Sequence, residues 1–147
     1  MADAYGRFQD GAHILPLRVY WEDTDAAGIV YYANYLRYTE RARSDMLRAA
    51  GVGQTALREK DGIVFAVRNC EVEYLKPARL DDEIEVHTSL TDIGGATVSA
   101  DQTVKRGGDD LVRTSIRLAC VNKDGRPQRL PPNVRHILQT LPNATGD

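Results

Sequence analysis

The sequence predicts an α+β domain: an antiparallel sheet with one long helix laid on one face. Three observations carry this. Residues 30–50 repeat apolar side chains every three or four positions, whereas the stretches on either side alternate apolar and polar with period two. The alternating stretches after the helix follow one another across short Gly-rich breaks. Strands grouped in this way, rather than interleaved with helices, pair antiparallel. The chain of 147 residues suits a single domain and can bury a core without metal or disulfide staples.

Residues 1–13 mix Gly, Asp, Gln and Arg without period and read as a loose leader, followed by one domain over residues 14–141 and a loose tail over 142–147. Leu15, Leu17, Val19 and Trp21 alternate with Pro16, Arg18, Tyr20 and Glu22, a strand with one face inward. The helix is expected from about Val30. Tyr32, Tyr35, Leu36, Thr39, Ala42, Met46, Leu47 and Ala50 form its buried face, while Arg37, Arg41, Ser44, Asp45 and Arg48 fall on the wetter side. Gly51 ends it where a left-handed residue is wanted. About 20 helical residues span roughly 30 Å, enough to fill the concavity of a whole sheet.

Residues 52–62 form a connector with room for a short helical turn. The apolar run Ile63–Val67 then gives way to alternation, with Cys70, Val72 and Tyr74 inward, until Lys76-Pro77-Ala78-Arg79 breaks it. Ile84, Val86, Thr88 and Leu90 are the inward set of the next strand. Gly94-Gly95 signals a hairpin. Ala96, Val98, Ala100, Gln102 and Val104 follow, Gly107-Gly108-Asp109-Asp110 turns the chain again, and Val112, Thr114, Ile116, Leu118 and Cys120 make the last strand. After Asp124-Gly125, Pro131-Pro132 opens a short helix with proline near its favoured first position.

Composition narrows function by exclusion. A net charge of −2 argues against a general nucleic-acid surface. No apolar stretch is long enough to span a membrane, and no secretory leader is visible. Cys70 and Cys120 are expected to be buried free thiols, which with the missing leader places the protein in the cytoplasm. His13, His87 and His136 stand apart from one another and from the cysteines and read as surface or loop residues. No cluster of His, Cys and carboxylates suggests a metal, and no cofactor is expected.

Chemistry concentrates in Trp21–Tyr35. Asp23 and Asp25 precede the helix, where backbone N–H groups lack intrahelical partners and attract negative charge. On spacing alone Asp25 is a capping or turn residue or a catalytic carboxylate, and Asp23 is a loop-holding acid or its rival. Gly28 lets the backbone approach a ligand without a Cβ in the way. Tyr31, Tyr35 and Tyr38 line a pocket or belong to the core or an interface.

The longer string Val19-Tyr20-Trp21-Glu22-Asp23-Thr24-Asp25-Ala26-Ala27-Gly28-Ile29-Val30-Tyr31-Tyr32-Ala33-Asn34-Tyr35 resembles the opening of the 4-hydroxybenzoyl-CoA thioesterase family. Glu40-Arg41-Ala42-Arg43, Tyr74-Leu75-Lys76-Pro77-Ala78 and Asp124-Gly125-Arg126-Pro127 extend the likeness in the right order. Ala26, where benzoyl-CoA members often have proline, brings the chain nearer the branch associated with the Tol–Pal cluster. The resemblance implies a hotdog fold, a curved antiparallel sheet wrapped around one long helix, assembled as a homodimer or homotetramer with active sites between subunits. It implies an acyl-CoA substrate, Asp25 as general base or nucleophile, and the Tyr32 N–H in the first helical turn as the oxyanion donor. Gly28, Ile29, Val30, Tyr31, Asn34 and Tyr35 are the expected substrate-binding residues. Many relatives carry His at the position of Tyr32, and that side chain's role does not carry over. Lys105, Arg106, Arg113, Lys123, Arg126 and Arg129 are the candidates for the CoA phosphates. Glu40, Arg41 and Arg43 read as a helical or dimer-facing ion-pair network. A hotdog hydratase, which needs a His paired with an acid at the helix entrance, is disfavoured because no His stands there. A non-catalytic carrier or envelope-system module is the remaining alternative.

Overall fold

The computed structural model describes residues 6–141, so the expected tail at 142–147 lies outside the described residues. Six strands form one antiparallel sheet: β1 (Arg7–Gln9), β2 (Ala12–Arg18), β3 (Val64–Tyr74), β4 (Glu83–Ile93), β5 (Thr97–Arg106) and β6 (Asp109–Val121). Their spatial order is β1-β2-β4-β5-β6-β3, which leaves β3 on an open edge. The helix α1 (Asn34–Ala49) lies across β2, β4 and β5. A short α2 (Gln54–Ala56) continues as a wider turn over Leu57–Asp61, the helical turn expected in the connector, and α3 (Pro132–Gln139) starts with proline at its N-terminus.

The leader expectation is corrected at residue 7. Arg7–Gln9 and Ala12–Arg18 pair as a hairpin, turned by Asp10 and Gly11 at positive φ. His13 is fully buried rather than on a surface loop. Its Nε2 lies 3.1 Å from Asp45 Oδ2, which also accepts the Gly6 N–H at 2.8 Å. Asp45 is therefore buried too, against its placement on the wetter side of the helix.

The helix also starts later than its pattern suggests. Residues 30–33 are loop and turn, and helical geometry begins at Asn34. Leu36, expected inward, is 41% exposed, because it faces the uncovered flank beside β3. Gly51 takes φ 86° and closes the helix as expected. Within β3 a bulge between Val67 and Asn69 shifts the alternation by one residue. Of the expected inward set only Val72 is half-buried; Cys70 and Tyr74 are exposed, because β3 lies on an open edge of the sheet.

Two apolar clusters fill the concavity. The one at the α3 end holds Met46, Leu47, Leu90, Val98, Leu118 and Leu138, and the other holds Val19, Val30, Tyr35, Tyr38, Ala78, Val86 and Leu111. A polar rung divides them. His13 pairs with Thr88, Thr88 with Gln102, and Gln102 with Thr114 at one register across four strands. All four are buried. Buried polar groups need partners, and most of this rung has them: Gln102 Nε2 donates to Thr88 Oγ1 and to the Thr39 carbonyl, and Thr114 Oγ1 donates to the Gln102 carbonyl, while His13 Nδ1 has no hydrogen bond among the described residues.

Burial drives His13 below the ordinary histidine value of 6.5, with Asp45 opposing. A base kept neutral in the fold stabilises it above the unfolded value, and that contribution is lost as pH falls below about 6.5. The depressed carboxyls Asp82 and Asp110 act lower, as pH falls through their range below 3.8. Urea midpoints measured from pH 7.5 to 5 are therefore expected to fall, and to fall less steeply in His13→Gln. Equal slopes would remove His13 as the cause.

Candidate active site

The Asp25 loop is closed by its own backbone. The Asp25 N–H donates to the Ile29 carbonyl at 2.9 Å and the Gly28 N–H to the Asp25 carbonyl at 3.0 Å. Thr24 and Val30 bridge its base. Inside this loop the Ala27 N–H donates to Asp25 Oδ1 at 2.8 Å. That bond fixes the carboxylate as an Asx turn and leaves Oδ2 without a hydrogen bond among the described residues. Asp25 itself is exposed.

Gly28 holds φ 79°, and a Cβ there would meet nothing within 4 Å. The constraint is conformational, not spatial. Gly28→Ala is expected to cost about 1–2 kcal/mol, the left-handed penalty, and to lower turnover by loosening the Asp25 loop. Thermal melts alongside turnover test this, and an unchanged melting temperature would remove the φ argument.

Straps tie this loop to the helix entrance. The Asp23 carbonyl accepts the Tyr31 N–H at 2.9 Å and Asn34 Nδ2 at 2.9 Å. The Val30 N–H donates to the Ala78 carbonyl at 2.9 Å, and the Leu80 N–H to the Gly28 carbonyl at 3.2 Å. Asp23 has the local role weighed for it: its Oδ2 accepts the Tyr20 N–H at 2.8 Å. Burial, then the nearby Asp23 carboxylate, pushes the Tyr38 hydroxyl well above the usual tyrosine range.

The expected site residues separate on inspection. Asp25, Gly28, Ile29, Tyr31 and Tyr32 come together on an open surface. Tyr32 sits in the turn ahead of α1, not in its first helical turn, and its N–H donates to nothing among the described residues. Val30 and Tyr35, each 3% exposed, are core residues. The Tyr35 hydroxyl accepts the Ala78 N–H at 2.9 Å, so it holds the floor of the site and does not line a pocket. Tyr38 is likewise core. Asn34 is a strap, as above.

Two aromatics expected on inward strand faces, Tyr74 and Trp21, are exposed beside this loop instead, β2 ending at Arg18. Tyr74 closes β3, packs its ring 6.0 Å from Tyr32, and donates its hydroxyl to the Tyr32 carbonyl at 3.1 Å. Trp21 is 82% exposed in the turn before Asp23. The signal was available in each case: an aromatic at the last strand position before Lys76-Pro77, and an aromatic inside the acidic stretch.

The six expected phosphate ligands do not form one cluster. Lys105, Arg106 and Arg113 stand at the Asp25 end of the sheet but are matched by acids. Lys105 pairs with Asp110 at 2.7 Å, Arg106 with Asp82 at 2.6 Å, and Arg113 with Asp110 at 3.1 Å. Lys123, Arg126 and Arg129 lie past the far end of β6. The Glu40–Arg43 pairing is not formed either, since Arg43 is buried and donates to Gln102 Oε1 at 3.0 Å. Cys120 is buried as expected but Cys70 is exposed, because β3 is uncovered on the edge.

A family model for the thioesterase-like superfamily matches residues 19–138. The acyl-CoA thioesterase YbgC of Haemophilus influenzae is 36% identical over 133 residues, which make up 90% of this chain and 98% of that protein. The acyl-CoA thioester hydrolase YbgC of Escherichia coli O6:H1 is 39% identical over 121 residues, 81% of this chain and 90% of that one. A crystal structure of a probable thioesterase from Bartonella henselae matches with a TM-score of 0.79 at 36% identity, covering 82% of this chain and 99% of that one. On its sequence and its antiparallel sheet around a single long helix, this chain belongs to the thioesterase-like superfamily of hotdog-fold thioester hydrolases, alongside the YbgC proteins.

Proposed function

We propose that this protein hydrolyses the thioester of a short-chain or aromatic acyl-CoA, with Asp25 as its acid–base or nucleophilic group. The observation that carries this is the exposed Asp25 carboxylate, with one oxygen locked by the Ala27 N–H and the other without a hydrogen bond among the described residues, in the loop that leads to the undonated Tyr32 N–H. A thioester needs an activated oxygen nucleophile and a donor for the charge that develops on its carbonyl oxygen. The Tyr32 N–H receives that oxygen. The free oxygen of Asp25 either takes a proton from the attacking water or attacks the carbonyl itself, expelling CoA thiolate to leave a mixed anhydride that water then opens. Either route consumes one water and yields a carboxylic acid and free CoA.

The site operates in a homo-oligomer. β3 presents an unpaired edge over Val64–Tyr74, with Val67 56% exposed and Leu36 41% exposed beside it. An edge of this length invites pairing with a second copy. The cytoplasm is the compartment that keeps the exposed Cys70 thiol reduced.

The test is release of free thiol from a panel of short, long and aromatic acyl-CoAs, with the mass in solution read by light scattering. Turnover by a dimer or tetramer is the expected result. No turnover across the panel overturns the reading, and turnover by a monomer removes the shared site.

A further inference from the structure

We propose that Tyr74 is a positioning residue for the oxyanion donor: its hydroxyl clamps the Tyr32 carbonyl and so keeps the Tyr32 N–H turned to the substrate, an inference that rests on the thioesterase reading above. Two peptide planes meet at Tyr32. The first joins Tyr31 to Tyr32 and carries the Tyr32 N–H. Its carbonyl, on Tyr31, accepts the Asn34 N–H at 2.8 Å. In a trans peptide the carbonyl and the N–H point opposite ways, so the Tyr32 N–H is aimed away from Asn34. A hydrogen bond at the carbonyl also polarises the N–H of the same peptide. The second plane joins Tyr32 to Ala33. Its carbonyl accepts the Tyr74 hydroxyl at 3.1 Å and no backbone N–H among the described residues. The first bond is local, closed within one turn. The second comes from another element, 42 residues away. Residues 31–33 precede the regular helix, where the helical ladder does not fix the chain, and the Tyr74 bond holds the second plane against the first.

Tyr74 is itself held. It is the last residue of β3, in register with Val112 of β6. The two N–H groups that follow it, those of Leu75 and Lys76, both donate to the Leu111 carbonyl. Its ring meets those of Tyr32 and Tyr35 edge-on, at centroid distances of 6.0 and 5.8 Å. Tyr35 is buried and bonded to the Ala78 N–H, so one side of the clamp rests on the core. Burial, then Tyr32 and Cys70, raise the Tyr74 hydroxyl above the ordinary tyrosine value of 10.0, and it remains a proton donor at neutral pH. Water could satisfy the Tyr32 carbonyl but would not fix its direction, and an oxyanion donor works by being oriented before the charge develops. The hydroxyl, the carbonyl and both flanking rings belong to one chain. A second copy on β3 pairs through backbone groups and does not need the Tyr74 hydroxyl.

Tyr74→Phe keeps the ring and removes the hydroxyl. It is expected to lower kcat by about tenfold or more, part of the roughly hundredfold or greater loss that follows removal of a whole oxyanion donor. KM stays unchanged, because the bond to the developing charge is made in the transition state. Circular dichroism and thermal melts confirm the fold. A second readout separates positioning from mere support: the infrared carbonyl stretch of a bound ketone analogue. The analogue is an acyl-CoA with a methylene in place of the thioester sulfur, isotope-labelled at the carbonyl carbon. Wild type is expected to give one band at lower frequency than the analogue in water, and Tyr74→Phe a broader band at higher frequency than wild type. Undiminished kcat in folded Tyr74→Phe overturns the positioning role and leaves the hydrolase standing. A lower kcat with the band unmoved, or with KM and stability lost together, makes Tyr74 a structural residue and overturns it too. A wild-type band no lower than in water removes the Tyr32 donor and the clamp with it. Silence of the wild type on every acyl-CoA overturns the hydrolase reading and this inference together.

Discussion

Asp25→Asn is expected to lower thioester turnover by about a hundredfold or more, the scale of losing a positioned acid–base group, at an unchanged melting temperature. The two side chains have the same shape. Oδ1 of the asparagine still accepts the Ala27 N–H, so the turn that positions residue 25 survives. The loop bonds from Asp25 to Ile29 and from Gly28 to Asp25 are backbone and do not depend on the side chain. What disappears is the second oxygen as a base or nucleophile, since an amide can neither accept a proton from water at neutral pH nor displace a thiolate. Asp23→Asn is the matched control, two residues away. It keeps an acceptor for the Tyr20 N–H and removes a charge that the proposed chemistry does not use. Loss confined to Asp25→Asn places the reaction at that carboxylate. Undiminished turnover there would leave the activity intact and take Asp25 out of it.

What sequence disclosed and what it hid follow from the range of the interactions concerned. Period-two alternation named the inward residues Thr88, Gln102 and Thr114 one by one, because the pleat is a local property. That the three fall on a single rung is a matter of strand register, which no one strand contains. The same holds for His13. It looked isolated because its partner Asp45 is on another element, 32 residues away. Helical periodicity was visible from residue 30, yet the helix starts at Asn34. The intervening residues are held instead by bonds to Asp23 and Ala78, which overrule the local pattern. At the candidate site, the turn roles of Asp25 and Gly28 were legible through turn chemistry: Asp25 Oδ1 takes the Ala27 N–H and Gly28 holds a left-handed φ. Tyr35 was misplaced as a lining residue because aromatic side chains at helical spacing look alike whether they meet a ligand or, as here, the Ala78 N–H. The phosphate candidates failed for a comparable reason. Basic residues can be counted along a chain, but the acids that pair with Lys105, Arg106 and Arg113 are Asp110 at the start of β6 and Asp82 in the turn before β4.

The polar rung also makes a mechanical claim, which Leu111→Ala tests. Leu111 is fully buried in the cluster beneath Asp25, with Val30, Tyr35 and Ala78, and its carbonyl accepts the N–H groups of Leu75 and Lys76 at 2.8 and 3.0 Å. Truncating it leaves a cavity expected to cost about 2–5 kcal/mol. That is a large share of a domain's roughly 5–15 kcal/mol and lowers the melting temperature by roughly 5–15 °C. Leu138, 1% exposed in the cluster at the α3 end, offers the same chemistry on the far side of the rung, and Leu138→Ala is expected to lose comparable stability. Their effects on turnover should differ. At a temperature where both variants are folded, Leu111→Ala is expected to lose activity, because Ala78 beside the cavity holds the Val30 N–H at the base of the Asp25 loop. Leu138→Ala should retain it, because Gln102, Thr88 and Thr39 are fixed by hydrogen bonds between the cavity and the site. Paired melts and thiol-release assays decide the matter. Equal losses of turnover would mean that strain crosses the rung and that the two clusters behave as one core.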